Sequence, residues 1–151
     1  SKLVYIDIWG LSPIRSIDGF SYYVMFVDYT KFIWLYPLAH KSDTFDVFCK
    51  FKLMVEKFFN PSITTIYIDG GTEFKGLKPI LEKHAIHHVI SPPYMPQRVA
   101  TVEHHYRQIF ECGLTLLQRA SLPLSFWFLA FATAAYLTVG QDFDHYFYLL
   151  D

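Results

Sequence analysis

Three acids in this 151-residue chain, Asp7, Asp69 and Glu103, stand where they could share one piece of chemistry. Asp7 lies in a segment, residues 3–8, whose alternation reads as a strand with Val4, Ile6 and Ile8 on one face and Leu3, Tyr5 and Asp7 on the other. Asp69 follows a second β-branched run, 63–68, and opens the turn Asp69-Gly70-Gly71. Laid side by side in parallel, the two strands bring both aspartates to the same end, with backbones only ~5 Å apart. Carboxylates that close repel, and one takes up a proton unless a cation neutralises the pair. Hard oxygen donors suit Mg²⁺ or Mn²⁺, and a third carboxylate from a nearby helix completes a two-metal site for phosphoryl transfer. Glu103, on the first turns of a long helix, is the candidate. Its competing reading is a solvated i,i+4 ion pair with Arg107.

Positioning these acids falls to the rest of the chain. Ile17-Asp18-Gly19-Phe20 holds an Asp-Gly turn, and 20–27 and 32–38 are β-branched and aromatic runs joined by Asp28-Tyr29-Thr30-Lys31. With 3–8 they predict a three-stranded antiparallel meander. Ser42 is placed to cap a helix over 42–59, which Asn60-Pro61 stops. Phe45, Phe48, Val55 and Phe59 form one apolar stripe on it and Val47, Phe51, Met54 and Phe58 another, which predicts broad burial. Beyond the fourth strand come a short helix over 77–84, a fifth strand at 86–90 and a proline-rich loop, Ser91-Pro92-Pro93-Tyr94-Met95-Pro96. A long helix over 99–119 turns Val102, Tyr106, Ile109, Gly113 and Leu116 inward, and a last helix starts at Pro123. A right-handed helical crossover from the meander lets strand four lie parallel and adjacent to strand one. The fold class is α/β: a mixed five-stranded sheet, antiparallel meander plus parallel strands, flanked by helices in a single domain over 1–151.

Composition bounds the function. At 52% apolar and 18% charged residues the chain buries a core and is neither disordered nor two full domains. A formal net charge of -1 excludes a global positive field, so any nucleic-acid contact is local or metal-assisted. Cys49 and Cys112 lack metal-ligand spacing and make no disulfide framework, which fits a reducing intracellular setting. The N-terminus carries no signal peptide and reads as a cut from a longer polypeptide. No charged residue occurs between Arg119 and Asp142, so a bilayer span competes there with a buried core helix; Pro123, Ser125, Thr133, Thr138 and the missing basic flank favour the helix. His84, His87, His88, His104 and His105 raise zinc, but adjacent strand histidines point to opposite faces, and a structural or surface role is preferred. Tyr22, Tyr23, Phe26, Trp34 and Tyr36 read as sheet packing rather than stacking platforms, with only Lys31 and Lys41 as basic neighbours.

Several dispersed blocks, in order, carry a resemblance: Leu3-Val4-Tyr5-Ile6-Asp7-Ile8-Trp9-Gly10, Asp69-Gly70-Gly71-Thr72-Glu73-Phe74, Pro93-Tyr94-Met95-Pro96-Gln97 with Val102-Glu103, Thr115-Leu116-Leu117, and Ala120-Ser121-Leu122-Pro123-Leu124-Ser125-Phe126-Trp127. They resemble the integrase catalytic core of plant Ty1/copia-type LTR retrotransposons over nearly the whole chain, fading after about residue 137. The resemblance implies an RNase H-like fold and a D-D-E triad of Asp7, Asp69 and Glu103, with Glu103 34 positions after Asp69. It implies that Asp7 bridges two Mg²⁺ or Mn²⁺ ions, that Asp69 shares one and Glu103 the other, and that the activity is trimming and joining of element DNA ends to target DNA. A nuclear or cytoplasmic-particle location, DNA as partner, a homodimer or higher oligomer, and flanking integrase regions missing from this chain follow from the same likeness.

The chain departs from that pattern at defined points. Arg98-Val99-Ala100 stands where the family has Gln-Asn-Gly, His104-His105 replaces a basic pair, Thr72 replaces a glycine, Phe128-Leu129 replaces a proline and an acid, and the turn at Asp28-Tyr29 is one residue short. The remaining candidate phosphate contacts are Lys75, Lys78, Arg98 and Arg107. The alternative expectation is a catalytically impaired or inactive remnant that serves as a nucleic-acid-binding or dimerising module.

Overall fold

The computed structural model of the chain describes residues 2–28, 32–59, 62–68, 73–89 and 96–139. Strands β1 (Lys2–Trp9), β2 (Tyr22–Asp28), β3 (Ile33–Leu38), β4 (Ile63–Ile68) and β5 (His87–Val89) form one mixed sheet in the order β3-β2-β1-β4-β5. β1, β2 and β3 pair antiparallel as the expected meander, while β4 runs parallel to β1 and β5 parallel to β4. Four helices accompany the sheet: α1 (Thr44–Phe59), α2 (Glu73–Lys83), α3 (Pro96–Arg119) and α4 (Trp127–Val139). This is the α/β, RNase H-like arrangement.

Neighbouring β2 side chains show how the layers divide. Phe26 stacks on Phe51 of α1 with ring centroids 4.3 Å apart, whereas Tyr23, on the opposite face, meets Trp127 and Phe131 of α4. Thus α1, with α2 beside it, covers one face, and α3 and α4 cover the other. Coverage on both sides is why the β2 and β3 runs are continuously apolar rather than alternating: residues 23–27 and 33–38 are all buried. Pro37 is tolerated within β3 because that strand ends the sheet, where a missing N–H is least costly.

Several boundaries differ from expectation, each for a local reason. Ser42 is not a cap. A 3-10 turn, Lys41–Asp43, precedes α1, and there the Asp43 carboxylate accepts from the His40 N–H at 3.0 Å while the Thr44 hydroxyl donates to the Lys41 carbonyl at 2.7 Å. The broad burial expected of α1 is also wrong: Phe48, Phe51, Met54 and Val55 are buried, but Leu53, Phe58 and Phe59 are at least half exposed, because only one side of the helix faces the sheet. Helix α2 begins earlier, at Glu73, and α3 starts at Pro96 rather than Val99, with proline in the first-turn position that needs no N–H partner. Inward on α3 are Ile109, Gly113 and Leu117, with Leu116 half-buried; the side chain of Val102 lies outside the described residues.

The bilayer-like run is divided. Helix α3 ends at Arg119, Ser121 takes a left-handed φ of 53°, a 3-10 turn covers Leu124–Phe126, and α4 begins only at Trp127. At ~1.5 Å per residue its 13 residues span about 20 Å, and no described helix is long and apolar enough to cross a membrane. Helix α4 is apolar on most sides because α3 and β3 enclose it, and Ala130, Ala132, Ala134 and Ala135 are all buried.

Close approach of α3 to α4 rests on Gly113, where an added Cβ would run into the Phe131 ring. Gly113→Ala is expected to destabilise the fold by about 1–3 kcal/mol through overpacking. Gly76→Ala, on exposed α2 with nothing nearer than Phe45 at 4.0 Å, should instead stabilise it by roughly 0.5–1 kcal/mol. Urea unfolding checks the pair, and equal shifts of the same sign would show that the α3–α4 contact is not tight.

Candidate functional site

Asp7 projects from the central strand, on the α3/α4 face, between two aromatic side chains of the same parity. Tyr5 meets Tyr67 of β4 edge-on at 5.5 Å, and Trp9 stacks on Tyr23 at 5.1 Å while presenting its ring to Trp127 and Phe131 at 5.6 and 6.2 Å. The Trp127 indole N–H donates to the Ile14 carbonyl at 2.8 Å, tying the β1–β2 connection to α4. Rings therefore grip the strand on either side of Asp7, whose own side chain is exposed.

On α3, Glu103, Tyr106, Arg107 and Phe110 follow at i, i+3, i+4 and i+7, which makes them one stripe of the helix. That stripe and Asp7 line a cleft of about 330 Å³. The stripe is seated by ring contacts: Phe110 lies 5.6 Å from Phe131 and 6.4 Å from Tyr106, and Tyr106 stacks on Tyr23 at 6.5 Å. Glu103 and Arg107 both line the cleft with no ion pair between them, so the competing surface-pair reading does not describe them.

Two hydroxyls sit beneath the acids. Tyr23 is opposite Trp9 in the β1–β2 ladder and hence a diagonal, same-face neighbour of Asp7. Its hydroxyl donates to the Tyr106 oxygen. Burial above all, then Tyr106 and the Asp7 charge, drive the Tyr23 phenol far above its ordinary value. Burial also raises Tyr106, helped by Asp7 and opposed by the Tyr23 hydrogen bond. Both are neutral hydrogen-bonding groups at physiological pH.

Asp7 and Glu103 are thus brought to one cleft. β4 ends at Ile68, whose parallel partner is Ile6, so the described register stops one residue short of Asp7 and of Asp69. Asp69 itself lies outside the described residues, with Thr72. Lys75 and Lys78 are exposed on α2 and do not line the cleft; Arg107 does. Arg98 is in the first turn of α3, its side chain outside the described residues. His104 and His105 are off the cleft stripe, and among the described residues no three His, Cys, Asp or Glu side chains group as ligands. The cleft offers carboxylate oxygens without sulfur or imidazole, a donor set that fits a hard divalent cation. Sequence reasoning placed Tyr106 in the core and passed over Phe110 and Tyr23; the i, i+3, i+4, i+7 spacing from Glu103 was the signal that locates the first two.

No family model matches the chain. It is 47% identical over 137 residues to the retrovirus-related Pol polyprotein from transposon RE2 of Arabidopsis thaliana, a match covering 90% of this chain and 9% of the relative. To the corresponding polyprotein from transposon RE1 of the same plant it is 45% identical over 137 residues, with the same shares covered. To that from transposon TNT 1-94 of Nicotiana tabacum it is 35% identical over 138 residues, 89% of this chain and 10% of the relative. The chain spans about a tenth of the length of these curated relatives. It therefore belongs with the Pol polyproteins of plant Ty1/copia-type retrotransposons, as the counterpart of one segment of them.

Proposed function

We propose that this segment is the catalytic core of a retrotransposon integrase, a metal-dependent polynucleotidyl transferase acting on DNA ends. The observation that carries the reading is the meeting of Asp7 and Glu103, distant in sequence, in one cleft of an RNase H-like chain. Together with Asp69, these carboxylates would hold two Mg²⁺ or Mn²⁺ ions. When bound, such ions activate a water or 3′-hydroxyl and stabilise the leaving oxygen. Asp7 brings a carboxylate from a rigid central strand, the one element here that cannot shift without breaking the sheet. Arg107, one turn beyond Glu103, supplies a guanidinium for a phosphate oxygen. Tyr106 and Phe110 give the cleft an apolar wall, which strengthens charge interactions at the phosphodiester. The hydroxyl oxygen bonds to phosphorus as the bond to the leaving oxygen breaks, with no covalent enzyme intermediate.

A second reading, a catalytically silent module that contacts DNA or dimerises, is favoured by His104-His105 and Arg98-Val99-Ala100, which weaken phosphate neutralisation beside Glu103.

A Mn²⁺-dependent strand-transfer or disintegration assay separates the two. Asp7→Asn, Asp69→Asn and Glu103→Gln should each lower turnover by about 100-fold or more, the scale of losing one charge-stabilising group. Undiminished turnover in Asp69→Asn overturns the triad, whereas a folded wild type that binds DNA without turnover supports the silent module. Millimolar Mn²⁺ should also raise the melting temperature of the wild type and not that of Asp7→Asn/Asp69→Asn, because the ion binds only the folded site.

DNA affinity should be weak and salt-sensitive. With three or four phosphate contacts, log K against log salt is expected to slope near ~-3, and His104→Arg/His105→Lys should steepen it. Fluorescence anisotropy across a salt series measures this, and tight, salt-insensitive binding would contradict it.

A further inference from the structure

We infer that the Tyr23–Tyr106 hydroxyl pair orients the Asp7 carboxylate, making Tyr106 a positioning residue for cation binding at this cleft; the inference rests on the integrase-core reading. Tyr106 lines the cleft with Asp7 and Glu103, while Tyr23 is a diagonal neighbour of Asp7 on the same sheet face. The two rings stack at 6.5 Å and 25°, so their hydroxyls are held in register from two separate elements, β2 and α3. A phenol has one hydrogen to give. The Tyr23 hydrogen goes to the Tyr106 oxygen, so the Tyr106 hydrogen is committed elsewhere, and the charged acceptor that both phenols feel is Asp7. Trp9 and Phe131 pack around Tyr23 and fix the donor end of this relay, leaving its other end at the cleft. A carboxylate that binds a cation through one oxygen is held in rotamer by a hydrogen bond to the other, and removing such a partner commonly weakens metal binding 10- to 100-fold.

The test is Mn²⁺ binding to the full chain by isothermal titration calorimetry, with melting temperature measured on the metal-free proteins. Tyr106→Phe keeps the ring and its stacking and should weaken Mn²⁺ about tenfold. Tyr23→Phe should weaken it less, and the double variant should match Tyr106→Phe alone, since Tyr23 acts only through Tyr106. Reintroducing a hydrogen-bond donor with Tyr106→His should recover part of the lost affinity, which a purely structural role would not give. Wild-type affinity in Tyr106→Phe, with affinity lost in Asp7→Asn, overturns the relay and leaves the integrase-core reading standing. Wild-type affinity in Asp7→Asn, or no Mn²⁺ binding by the unaltered chain, overturns both. Should Tyr106→Phe fail to fold, Tyr23→Phe carries the same test with Tyr106 in place.

Discussion

The Phe131 ring lies against the bare backbone of Gly113, and that approach governs how α3 sits over the sheet. The same ring touches Trp9 and Tyr23 on the sheet and Phe110 on α3, at centroid distances of 5.6 to 6.2 Å. One side chain thus ties the strand carrying Asp7 to the helix carrying Glu103. Aromatic pairs of this kind add about 0.5–1.5 kcal/mol each beyond the area they bury, so the cluster is both the core of this layer and its positioning device. A side chain at position 113 moves the stripe Glu103-Tyr106-Arg107-Phe110 as a unit, because a helix transmits displacement along its length.

Charge is confined to the rim of an otherwise apolar layer. Val4, Tyr5 and Ile6 are buried, and Asp7 on the same strand is exposed, so the strand itself carries the carboxylate from core to cleft. The carboxylate avoids the large penalty of deep burial yet faces a wall of rings and neutral phenols, a setting in which a nearby cation is attracted more strongly than in open water. The alanine-rich α4 makes this possible: small side chains bring it close to α3 and β3 and leave room for Trp127 and Phe131 to reach across.

Much of this was legible in the sequence. Alternation located the strands, and a helical crossover with the right-handed rule placed β4 beside β1, the neighbour relation that points Asp7 and Asp69 to one end. What the chain does not display is how non-local contacts choose among stripes. Both apolar stripes of α1 look alike in sequence, but the sheet covers one side and leaves Phe58 and Phe59 out. Residues 122–139 look bilayer-like because composition cannot show that Ser121 turns the chain with a non-glycine left-handed backbone and that α4 folds back onto α3. Tyr106 was read as core and also reaches the cleft, since it lies at the border between the inward face of α3 and the face with Glu103. The Tyr23 partnership was invisible for a simpler reason: its two residues are joined only in the folded chain.

The central claim is that this packing delivers carboxylates to a shared divalent cation. Anomalous diffraction from crystals grown with Mn²⁺ tests it most directly. Manganese peaks ligated by Asp7, Asp69 and Glu103, with the two ions about 4 Å apart, are the predicted result. Carboxylates standing more than ~10 Å from one another in a well-ordered cleft without manganese could not share such ions, and that result would contradict it.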